Sequence, residues 1–139
     1  MPKRAKSVTT QRNEASLYLA KAEQLVEEAR LALEGSRHDA AMLNSIHAGI
    51  SSADAVSVAL AGRRSTDPDH QRAADLLEEV GRQSESIAER VKQLRALLGK
   101  KNRVEYESRR ATAREAADAV TRAERIVEWA GETVRRARL

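Results

Sequence analysis

The chain has no cysteine. Disulfides, thiolate nucleophiles and cysteine-held metals are therefore excluded, and a reducing compartment is compatible with the sequence. Phenylalanine is also absent, and the aromatics are Tyr18, Tyr106 and Trp129. The apolar mass is then Ala, Leu, Val and Ile, a mixture that suits closely approaching helices. Only two prolines and six glycines occur, most of them where helices could end. No apolar run reaches the length, roughly 20 residues, that a membrane-spanning helix needs. The basic stretch at the N-terminus is not followed by the apolar segment of a secretory signal. A cytoplasmic protein with no membrane role is expected.

What is present fits one domain: 139 residues, enough apolar content for a core and enough charge for a solvated surface. The net charge is +4. Acidic and basic residues interleave, as in Glu23, Glu27, Glu28 and Arg30, which is how a solvated helix face reads. The basic excess is compatible with a nucleic acid or another acidic partner and does not require one.

Residues 1–12, with Lys3, Arg4, Lys6 and Arg12, are expected to form a flexible basic arm ahead of a helical bundle over 13–139. A first helix is predicted over 13–34, because Ala15, Tyr18, Ala22, Leu25, Ala29 and Ala32 recur at spacings of three and four. Gly35 ends it. A second helix is predicted over 38–61, with Ser36 and Asp39 at capping-box spacing. Between 40 and 62 Asp54 is the only acidic or basic residue besides His47, so this helix should be the most buried. A third is predicted over 68–98, opened by Asp67-Pro68 and carrying Ala73, Leu77, Val80, Ile87, Val91, Leu94 and Leu98. A fourth is predicted over 112–136, capped by Thr112 and Glu115. No strand pattern is visible. The expected fold is all-α, an antiparallel up-and-down four-helix bundle.

The segment 99–111 breaks the rhythm and holds Lys100, Lys101, Arg103, Arg109 and Arg110, with Tyr106 among them. As a ligand site, its cations would bind phosphate and its Tyr would stack on a base. As a plain connector, it would be a solvated link. His47 and Asp54 lie two turns apart on one helix face. They either line a cleft into which Arg103 reaches or are structural polar groups satisfied locally. Trp129 is either core or the anchor of a dimer interface. His38 and His70 stand beside predicted helix starts. No two histidines have helical metal-ligand spacing, so neither a metal nor a cofactor is expected. There is no glycine-rich phosphate loop.

With the helices placed, a family pattern emerges. Residues 15–34, A-S-L-Y-L-A-K-A-E-Q-L-V-E-E-A-R-L-A-L-E, resemble the opening helix of HEPN domains. Residues 38–61 resemble their Ala-rich second helix, with Ala41, Ala48 and Ala53. His70 is similar to a histidine near the start of the third. N-R-V-E-Y at 102–106 resembles an element preceding the last helix in small prokaryotic members. Many HEPN domains are metal-independent ribonucleases that pair an arginine with a histidine a few residues later. The resemblance aligns Arg103 with that arginine. Four, five and six intervening residues, however, lead to Ser108, Arg109 and Arg110, and no histidine follows His70. The resemblance thus implies a non-catalytic module that binds a nucleotide, RNA or a nucleotidyltransferase partner, as a homodimer. Such modules sometimes form part of a toxin–antitoxin or defence pair. An active endoribonuclease toxin would need a histidine from elsewhere, such as His47. A structural helical adaptor is the third alternative.

Overall fold

A computed structural model describes residues 6–82, 84–100 and 110–139. Among them are five α-helices, a single 3-10 turn at Arg12–Glu14 and one small sheet: α1 (Ala15–Glu34), α2 (His38–Ala61), α3 (Gln71–Val80), α4 (Glu85–Leu98) and α5 (Ala113–Arg136), with strands β1 (Ser7–Thr9) and β2 (Arg63–Ser65). The fold is mostly helical, as the periodicity predicts. No helix among the described residues is long and apolar enough to cross a membrane.

α2 is the central element and packs against the other four helices. Met42, Ile46, Ala53, Val56 and Val58 are all buried along it. Small residues let its neighbours come close. On α1 the buried stripe is Ala15, Leu19, Ala22, Val26, Ala29 and Ala32, while Tyr18 and Leu25 sit at its half-buried edge. Gly49 is where α4 presses on α2. A Cβ there would lie 3.0 Å from Leu94 and 3.1 Å from Leu97, closer than ordinary van der Waals contact.

Three expectations are corrected. The third predicted helix is two helices, α3 and α4, parted at Gly81–Ser84. Val80 and Ile87 are seven residues apart, so the apolar rhythm runs straight across the break and conceals it. The Ser84 hydroxyl caps α4 by accepting from the Ile87 N–H at 3.3 Å. A Cβ at Gly81 would collide with Ile87, which folds back onto it.

The chain also contains a sheet where no strand was expected. β1, inside the segment expected to be an arm, pairs antiparallel with β2, with Val8 opposite Arg64. Gly62 ends α2 at φ 63, the left-handed region that glycine tolerates. Its carbonyl accepts from the Thr10 N–H at 2.8 Å, and Arg12 Nε donates to the Ala59 carbonyl at 2.7 Å. These bonds tie β1 to the end of α2. Three-residue strands are too short to show an alternating pattern, which explains why the sequence conceals them.

The last correction concerns caps. Ser36 and Asp39 do not form a capping box. Ser36 has a φ of 58, Arg37 is the N-cap of α2, and no side chain caps that helix. Thr112 and Glu115 do form the box expected at the start of α5, with bonds of 3.1 and 3.0 Å.

Candidate functional site

Two regions hold the residues that the sequence singles out. The first is where Arg110 and Ala111 lead into α5 beside the start of α2. Arg103, Lys101 and Tyr106 lie outside the described residues. The flanks of the basic segment are described. Lys100 follows α4, and its N–H donates to the Leu97 carbonyl at 3.2 Å. At the other flank the Ala111 N–H donates to the Asp39 carboxylate at 2.7 Å. Asp39, freed from capping duty, thus pins the approach to α5 against the first turn of α2. An open cleft of about 330 Å³ results, lined by Ser36, Arg37, His38, Asp39 and Arg110 among others. The backbone N–H groups of the first α2 turn lack a side-chain cap at this end. The sequence places Asp39 and His38 only at a helix start and does not single out Arg37, because the 72-residue separation of Asp39 from Ala111 leaves no local signal of the cleft.

The second region is the flank of α2. Asp54 is half-buried, and burial pushes its carboxyl up to about 7 from the ordinary 3.8. Arg64 on β2 and Lys21 on α1 pull the other way, less strongly. Asp54 has no hydrogen bond or ion pair among the described residues. The Arg64 guanidinium lies 5.8 Å from the centre of the Tyr18 ring, a cation–π contact. His47 meets His70 edge to face, with ring centres 5.9 Å apart. His70 is the N-cap residue of α3, so the contact joins the start of α3 to α2.

The two regions are distinct. Asp39 and Asp54 are four turns apart on one helix, about 22 Å at a helical rise near 1.5 Å per residue. The cations shown to act on Asp54 are Arg64 and Lys21, which the sequence reading passed over. Trp129 is in the core at 8 % exposure, so it is not a surface anchor.

A family model for the HEPN domain matches residues 15–134. The chain belongs to the HEPN-domain family. No curated protein matches it. The HEPN domain is a module that binds RNA or acts as a nuclease or an adaptor, and HEPN domains often dimerise. The matched residues run from the start of α1 to the last turn of α5, so all five helices belong to the domain and β1 lies ahead of it. Within this HEPN domain the singled-out residues that are described lie at the α2 start and along the α2 flank.

Proposed function

We propose that this HEPN domain is non-catalytic and binds the phosphates of RNA or a nucleotide at the bundle end where the α1–α2 turn meets the approach to α5. It does so as a homodimer. The observation that carries the reading is the bond from Ala111 to Asp39, which holds Arg110 beside Arg37 and His38 at an open cleft. Guanidinium groups and uncapped helix N–H groups are matched to phosphate oxygens. Lys100 enters the same basic segment from the other flank, and Arg103 lies inside it. The absence of any histidine after His70 removes the usual acid–base partner of Arg103, which supports binding without cleavage. Asp39 adds negative charge to the cleft, so affinity should be moderate and should fall with salt.

The test is a titration of a short single-stranded RNA at two salt concentrations. The proteins are wild type, Arg37→Ala/Arg110→Ala, Arg103→Ala and, as a control at the far end of α5, Arg136→Ala. The double variant and Arg103→Ala are each expected to bind about tenfold more weakly, the worth of a charge-assisted hydrogen bond to phosphate. The control should match wild type. Equal binding by the double variant and the control would show that the cleft does not hold the RNA. A nucleotidyltransferase or antitoxin as the working partner is a further part of this proposal, and a gene for one beside this gene would favour it.

A further inference from the structure

α2 is buried on nearly every side, and its half-covered positions are not scattered. Between Ala40 and Ala59 they are Ala40, Leu43, Asn44, His47, Ile50 and Asp54. Steps of three and four place them on one line along the helix. The rest of the helix packs against α1, α3, α4 and α5, with β2 and the turn at Arg12–Glu14 touching it as well. The line is therefore a narrow seam, apolar at Leu43 and Ile50 and polar at His47 and Asp54.

The two polar residues stand three positions before and four positions after Ile50, nearly symmetrical about it. We propose that α2 pairs antiparallel with α2 of a second copy about a two-fold axis beside Ile50, so that His47 of each subunit meets Asp54 of the other. This rests on the homodimer reading above and adds its surface, its direction and its polar contacts.

Charge complementarity selects both the occupant and the direction. An antiparallel pair sets imidazole against carboxylate twice, as an isologous interface requires. A parallel pair would set Asp54 against Asp54 and His47 against His47, like against like. The carboxyl needs such a partner. It is half-buried without a hydrogen bond among the described residues, and Lys21 and Arg64 act on its charge without bonding to it. His47 faces His70 on its own subunit, an edge contact that supplies no counter-charge. Leu43 and Ile50 add apolar area, and Ala40 offers no bulk to hold the helices apart.

Two experiments test the pairing. The first is sedimentation of wild type, His47→Asp, Asp54→His and an equimolar mixture of the two variants, each shown by circular dichroism to keep its helices. Wild type should dimerise. His47→Asp alone brings four carboxylates together and should weaken the dimer on the order of 100-fold. Asp54→His alone loses both pairs and should also weaken it. In the mixed dimer the new carboxylate meets the new imidazole while one native pair remains, so the mixture should recover a heterodimer. Variants that dimerise like wild type, or a mixture that recovers nothing, would overturn the pairing and leave the homodimer standing. A monomeric wild type would overturn both. The second experiment does not depend on those variants folding. The chain has no cysteine, so Ile50→Cys introduces a single thiol beside the proposed axis, within disulfide reach of its copy. Mild oxidation should crosslink it far faster than Leu31→Cys, whose position on α1 is exposed. Equal rates for the two would also overturn the pairing.

Discussion

Replacing Trp129 by alanine is expected to destabilise the protein by about 3–5 kcal/mol, among the largest effects of any single substitution. The indole is 8 % exposed and belongs to the main core cluster. Phenylalanine is absent from the chain, and much of the cluster is alanine. Alanines cannot reach into the space a lost indole leaves, so the cavity would collapse poorly, and the upper part of the range is the expectation. For a chain of this size the melting temperature should fall by about 10–15 °C. A drop of only a few degrees in thermal denaturation would mean that Trp129 carries surface rather than core. Any dimer should survive the substitution at temperatures where the fold does.

The second large effect is on pH dependence. Burial raises the Asp54 carboxyl to about 7 in the folded protein from 3.8 in the open chain. A raised pKa means that the folded state holds the proton more tightly. The associated stability is fully present below pH 4 and is lost as the pH climbs through 7. Asp54→Asn keeps the shape and does not titrate. At concentrations low enough to keep the protein monomeric, the variant should therefore match wild type near pH 4 and exceed it at pH 8. The expected gain is about 2 kcal/mol, below the full linkage value because the carboxyl retains contact with water. Denaturant titrations of both proteins between pH 4 and 8 measure it. A gap that does not change with pH would show that burial does not raise this carboxyl, and an asparagine variant weaker than wild type at pH 8 would show that the carboxylate is ionised and bonded.

These two residues also show what the sequence makes legible. Positions α1, α2 and α5 follow from apolar spacing, and the burial of α2 follows from its lack of charge. Asp54 stands out for the same reason, as an isolated carboxylate on an apolar helix. The break between α3 and α4 stays hidden because seven-residue spacing carries the pattern from Val80 to Ile87 without a change of phase. The cation partners of Asp54 are hidden differently. Arg64 sits on a strand whose pairing with Ser7–Thr9 is a long-range event. Lys21 is one of many charges on α1. Asp39 illustrates the limit most clearly: its spacing from Ser36 reads as a cap, yet its carboxylate serves Ala111 at the other end of the chain. Local rules describe which bonds a residue can make, and tertiary contact decides which one it makes.

The proposed function has this HEPN domain hold RNA without cutting it. The most direct measurement is to incubate an end-labelled RNA with excess protein, without divalent cations, under conditions where a mobility shift shows the RNA bound. A shifted and intact RNA is expected for wild type, with Arg103→Ala reducing the shift and leaving no cleavage to lose. Cleavage by wild type that disappears in both Arg103→Ala and His47→Ala would contradict it, and would identify a ribonuclease whose imidazole comes from α2.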